Sequence, residues 1–265
     1  MAKEFHIKEK YDIEDLISIV ALLRAPGGCP WDAEQTHQSI KKNFIEETYE
    51  VVEAINKNNS DMLREELGDI LLQVALHTQM EEEKGSFTFD DVADDIVKKL
   101  VVRHPHVFGD KTASNVAEAL NSWDAVKLKT KGQKTQTESM LSVPRELPAL
   151  MRAQKVQKKA AKVGFDWDDA GGAFDKMYEE LDELKIAMAQ DDAPHIEEEM
   201  GDVLFTAVNI ARFLKLDSEE ALTGATDKFV KRFQKVEQMA AEQGIDMKSA
   251  SLEELDELWA VAKKL

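Results

Sequence analysis

The chain contains itself twice. The segment EETYEVVEAINKNNSDMLREELGDILLQVAL at 46–76 has a partner in EELDELKIAMAQDDAPHIEEEMGDVLFTAVNI at 179–210. Each opens Glu-Glu-x-x-Glu and passes through a polar break, NKNNSD or AQDDAP. Each then resumes with Glu-Glu-[Leu/Met]-Gly-Asp ahead of an apolar run. Fifteen residues separate Glu50 from Glu66, and fifteen separate Glu183 from Glu199. The flanks match in the same order: Pro30-Trp31-Asp32 with Asp166-Trp167-Asp168, Lys99…Arg103 with Lys228…Arg232, and Trp123 with Trp259. Self-similarity of this kind points to a duplicated unit. The expected organisation is a first copy over 1–129, a linker over 130–142 and a second copy over 143–265. TKGQKTQTES at 130–139 is polar and lacks an apolar period, which suits a flexible linker.

Apolar residues recur at three and four along both copies. Phe174, Met177, Leu181, Leu184 and Met188 form one such stripe, and Leu63, Leu67, Ile70, Leu71 and Val74 another. That is the helical period, and no alternating strand pattern stands out, so the fold class is all-α. With 43% hydrophobic residues, the 265-residue chain has enough apolar mass for a core. The 34 Lys+Arg against 52 Asp+Glu give a net charge of −18. This argues against unaided binding to nucleic acid or to an anionic membrane, both polyanions. Phosphate ligands stay possible, because a divalent cation inverts local charge. The single cysteine, Cys29, excludes a disulfide within the chain. The longest apolar run, VLFTAVNIA at 203–211, is far shorter than the roughly 20 residues a membrane span needs. The opening MAKEFHIKEKYDIEDL is charged throughout and has no secretory apolar stretch, so a cytoplasmic location is expected.

Each copy places two acids at i and i+3 on one helix and two more on the next: Glu47 and Glu50 with Glu66 and Asp69, then Glu180 and Glu183 with Glu199 and Asp202. Residues three apart share a helix face. A short break makes the helices antiparallel neighbours, and Pro194 suits the first turn of the second. Four carboxylates converging there need cations, and hard oxygen ligands select Mg²⁺, with Mn²⁺ as a substitute. The bland alternative is a set of solvated acids on an acidic protein. Against it, Asp202 leads into an apolar run expected to be central and buried, with Asn209 farther along the same face. Gly68 and Gly201, one before each Asp, suggest a close helix contact or room for a ligand.

The doubled Glu-Glu-x-x-Glu…Glu-x-x-Asp pattern resembles the MazG-type nucleoside triphosphate pyrophosphohydrolases of the all-α NTP pyrophosphatase superfamily. CPWD at 29–32 and RHPHVFGD at 103–110 look like the signatures of the family's N-terminal copy. EEEMGDVLFTAVNIAR at 197–212 and KFVKRF at 228–233 are similar to the second copy of its two-domain members. The resemblance implies two tandem four-helix-bundle-like units, a homodimer, and Mg²⁺-dependent cleavage of nucleoside triphosphates between the α and β phosphates. It assigns metal binding to Glu180, Glu183, Glu199 and Asp202. It turns Lys228, Lys231 and Arg232 toward the phosphates, and matches Lys176 and Trp259 to positions that hold the nucleotide. Glu179 is the candidate for orienting water. Such chemistry needs positioning and charge neutralisation more than covalent catalysis.

Both tetrads are intact, but Leu76 stands where the second copy has Asn209, and Val102 where it has Lys231. The second copy is therefore expected to carry most of the activity, across a broad range of NTPs and dNTPs, in nucleotide-pool house-cleaning. Two alternatives compete. One is a narrower relative acting on dUTP or phosphoribosyl-ATP. The other is a non-catalytic acidic adaptor or nucleotide sensor.

Overall fold

The computed structural model describes residues 5–110, 112, 115, 116, 118 and 135–264. Among these the chain forms twelve helices and no strand. It divides into two compact units, 1–130 and 131–265. Trp123 and residues 130–134 of the expected linker lie outside the described residues.

The first unit comprises α1 (Ile13–Arg24), α2 (Pro30–Glu34), α3 (Lys41–Asn56), α4 (Ser60–Glu82), α5 (Phe89–Arg103) and α6 (Pro105–Phe108). Asp12 and Asp15 form a capping box that starts α1, and Thr88 with Asp91 does the same for α5. Asn59 starts α4 by accepting from the amides of Asp61 and Met62, each at 3.2 Å. Helix α4 is central, packing against α1, α3 and α5. Its C-terminal half supplies Ala75, Leu76 and Met80 to a core closed by Val20 of α1 and by Ile40.

The segment before α3 is tied to α4 by polar groups. His37 and His77 face each other through Nδ1 atoms 2.7 Å apart, their planes only 2° apart, so the rings meet edge to edge. His37 Nε2 lies 2.6 Å from Glu81 Oε1, and Lys84 Nζ donates to the same oxygen at 2.6 Å. Burial, then the charge of His37, pushes the His77 pKa down.

The second unit comprises α7 (Gln136–Leu141), α8 (Ala149–Ala161), α9 (Ala170–Gln190), α10 (Ala193–Phe213), α11 (Ser218–Glu242) and α12 (Leu252–Ala262). Helices α8 to α11 make the bundle, and α10 touches the other three. Val236, Ala240, Leu258 and Ala262 bury one another between α11 and α12. Two sequence expectations change. The segment read as linker carries α7, started by a Thr135–Glu138 capping box whose local hydrogen bonds outweigh its lack of an apolar stripe. The apolar run of α10 is central but not enclosed. Thr206, Val208 and Asn209 are buried, while Leu204 is 49% and Phe205 44% exposed, because no helix among the described residues covers that face.

Hydrogen bonds from Lys84 and then His37 hold the Glu81 carboxyl at about 2, against an ordinary 4.5. Because the folded value is the lower one, this contact stabilises the fold at pH above about 4.5, and the stabilisation fades as pH falls toward about 2. Chemical denaturation at stepped pH should show that acid loss in the wild type. Glu81→Gln should be less stable at neutral pH and lack that part of the slope; equal slopes would contradict the assignment.

Candidate active site

Two long helices and a two-residue turn build the second tetrad. The Asp169 carboxylate caps α9 by accepting from the Gly171 amide at 2.7 Å. Asp191 ends α9 in the left-handed region at φ 55°. The Asp192 carboxylate then accepts from the His195 amide at 3.4 Å, and Pro194 sits in the first turn of α10. The hairpin brings one carboxylate oxygen each from Glu180, Glu199 and Asp202 within 4.8 Å of one another. Glu180 is 4% and Glu199 9% exposed, whereas Asp202 opens to solvent. Glu183, the fourth predicted ligand, is not among those three converging oxygens. Burial, the neighbouring Glu180 carboxyl and the charge of Glu199 push the Glu183 pKa up, and Lys176 opposes them.

Two cationic or polar neighbours offset this charge. Lys176 Nζ donates to Glu179 Oε1 at 2.8 Å and to Glu180 Oε1 at 2.9 Å. Those two contacts, Glu179 first, push the lysine pKa well up. His195 Nε2 lies 3.0 Å from Glu199 Oε1. The other oxygen, Glu199 Oε2, is buried with no partner. A buried carboxylate oxygen without a donor, beside two more carboxylates, fits a divalent cation with hard oxygen ligands. Glu179, the candidate for orienting water, is largely exposed and held by Lys176.

The first unit brings Glu47, Glu66 and Asp69 together in the same way. Burial first, then Asp69, Glu50 and Glu66, pushes the Glu47 pKa up. Burial and Glu50 do the same to Glu66. The position matching Lys176 is Asn43, so among the described residues this nest has no counterpart of that ammonium. Of the two reasons offered for these glycines, a close helix contact fails in both copies, while the open space leaves room for a ligand. A Cβ at Gly68 or Gly201 would meet nothing within 4 Å, so no close contact requires them.

Lys228, Lys231 and Arg232 gather on α11 around a cavity of about 450 Å³ that also takes in Lys235 and Lys263. Among the described residues none of the three predicted cations is ion-paired. Trp259 packs on the α11–α12 core with its ring 5.1 Å from that of Phe229.

Sequence reasoning missed a second cavity. It measures about 520 Å³ and is walled by Phe165, Trp167 and Phe205. Phe205 follows Asp202 by one turn of α10, so the cavity begins roughly 5 Å along the helix from the tetrad. Trp167 lies against Gly172, where a Cβ would fall 2.3 Å from the indole; only glycine leaves room there. Asn209 lies in this cavity, and Arg212 Nε donates to its Oδ1 at 2.8 Å. The same guanidinium grips both oxygens of Asp166. The repeated Trp-Asp dipeptides were the available signal, but the pairing that positions Trp167 spans 46 residues.

A duplicated all-helical bundle with an acidic nest on a helix hairpin defines a class, and the comparisons agree with it. The MazG nucleotide pyrophosphohydrolase domain matches residues 35–108 and 173–237, one segment in each unit. The chain is 47% identical over 255 residues to the nucleoside triphosphate pyrophosphohydrolase of Escherichia coli K12, covering 95% of this chain and 97% of that one. It is 46% identical over 250 residues to the nucleoside triphosphate pyrophosphohydrolase/pyrophosphatase MazG of Thermotoga maritima, covering 94% and 95%. The chain belongs to the MazG family of pyrophosphohydrolases and is an enzyme of that hydrolase class. No described helix is long and apolar enough to cross a membrane.

Carboxylates must shed protons to hold a cation, and here the Glu183, Glu47 and Glu66 carboxyls are displaced upward. Thermal stabilisation by Mg²⁺ should therefore grow as pH rises from about 5 to about 8, and Lys176→Met should enlarge it by removing the competing ammonium. Differential scanning calorimetry with and without Mg²⁺ checks this; a pH-independent shift would refute it.

Proposed function

We propose that the second unit hydrolyses nucleoside triphosphates between the α and β phosphates, giving monophosphate and pyrophosphate with Mg²⁺ as cofactor. The observation that carries this reading is the convergence of Glu180, Glu199 and Asp202 around the unpartnered Glu199 Oε2. Glu180, Glu183, Glu199 and Asp202 would hold the cation. When bound, it supplies positive charge to the triphosphate oxygens and lowers the pKa of the attacking water. Mn²⁺ offers the same ligand preference.

The remaining roles belong to side chains. Lys228 and Arg232, with Lys231 beside them, hold the polyphosphate and stabilise negative charge on the leaving pyrophosphate. Lys176 adds a fourth cation at the tetrad itself. Glu179 orients water through the carboxylate that Lys176 positions. The aromatic cavity beside Trp167 takes the base, while Trp259 supports the helix that presents the lysines. A site that grips the phosphates and stacks the base suits many NTPs and dNTPs, as pool house-cleaning in the cytoplasm requires. We further propose a homodimer that covers the apolar faces left open at Leu204 of α10 and at Phe229 and Phe233 of α11, all at least 40% exposed. The first unit, lacking counterparts of Lys176, Lys231 and Asn209, contributes less to turnover.

Incubation with each NTP and dNTP, with and without Mg²⁺, followed by product identification, tests the bond and the range. Glu180→Gln and Asp202→Asn should lower pyrophosphate release about 10²-fold or more, and Glu47→Gln should have a smaller effect. Orthophosphate as product, or a larger loss in Glu47→Gln, would overturn the reading.

A further inference from the structure

We infer that Gln157 and Asn209 read the hydrogen-bonding edge of the nucleobase, one as acceptor and one as donor, inside the cavity beside Trp167. The inference rests on the proposed function and adds the groups that recognise the base.

Both amides have a fixed orientation. Gln157 of α8 donates through Nε2 to the Phe205 carbonyl at 2.8 Å. Its Oε1 is thereby left as an acceptor, and that oxygen is buried with no partner although the residue lines the cavity. An unmet buried acceptor is costly, and an N–H from a ligand relieves it. On α10, Asn209 Oδ1 accepts from Arg212, so its Nδ2 is the group left to donate. Arg212 cannot turn away, because its other nitrogens grip Asp166. The walls are flat apolar rings, and the volume of about 520 Å³ admits a purine.

One donor and one acceptor match every natural base, since each carries both on its pairing edge. The pair selects for a base rather than for a particular base. That chemistry rejects a ring of the same shape whose edge lacks a donor. The first unit has Leu76 in place of Asn209 and cannot offer the same donor.

Purine riboside triphosphate and ATP differ only in the exocyclic amino group, so they isolate the contact to Gln157 Oε1. With the full-length enzyme and Mg²⁺, kcat/KM for purine riboside triphosphate should be about tenfold below that for ATP. In Gln157→Leu the two values should fall within about twofold of each other, because the acceptor is gone. In Asn209→Leu both substrates should weaken while a gap between them remains. Equal wild-type values, or a gap that Gln157→Leu leaves unchanged, would overturn the inference. If neither substrate yields monophosphate and pyrophosphate, the proposed function is overturned instead. Calorimetric titration of the same two triphosphates would then decide base reading by the same comparison of affinities.

Discussion

Like charge held between α9 and α10 is the constraint around which the second unit is arranged. Glu180 and Glu199 are buried, and an isolated buried carboxylate is costly. The unit meets that cost with short-range partners instead of distance. Lys176 and His195 each reach forward one turn, to Glu180 and to Glu199. Both come from the tetrad's own helices, so the nest is assembled once the hairpin forms. What they leave unmet, Glu199 Oε2 and the raised Glu183 carboxyl, is the charge a cation would take up.

The two units share this plan and differ at the positions that would handle a polyanion. Asn43 for Lys176, Val102 for Lys231 and Leu76 for Asn209 each replace a cation or a donor in the first unit. Its carboxylates keep their geometry, with Glu47 and Glu66 both displaced upward. A nest that repels itself without an amine beside it is a place for a cation before it is a place for a nucleotide. In the first unit polar contacts lie elsewhere, in the Arg24–Glu83 pair and the His77–His37–Glu81 chain that fasten the segments on either side of α2.

The helices and tetrads were legible because helical periodicity and self-similarity are properties of the chain alone. Glu180, Glu199 and Asp202 follow from i, i+3 spacing and a short turn, and the structure brings them together. The partial enclosure of α10 was not legible, since periodicity says that Leu204 and Phe205 are apolar, not whether the same chain covers them. Helix α7 had a signal that composition hid, the Thr135–x–x–Glu138 box. The cavity beside Trp167 depends on Arg212 meeting Asp166 and on Gly172 yielding space to an indole. Such approaches leave no periodic mark. Family resemblance supplied the grouping of Lys228, Lys231 and Arg232, which spacing alone would have left as a solvated face.

The brevity of the turn between the paired helices has one more consequence. The loop is three residues in the first unit and two in the second, yet the interval from Glu50 to Glu66 equals that from Glu183 to Glu199. An α-helix advances about 100° per residue, so one amino acid more or less in that interval, unless absorbed by the loop, would swing the second pair of acids around the barrel of its helix. The interval thus acts as a phase lock. Both copies tolerate different residues within it, but they keep its count.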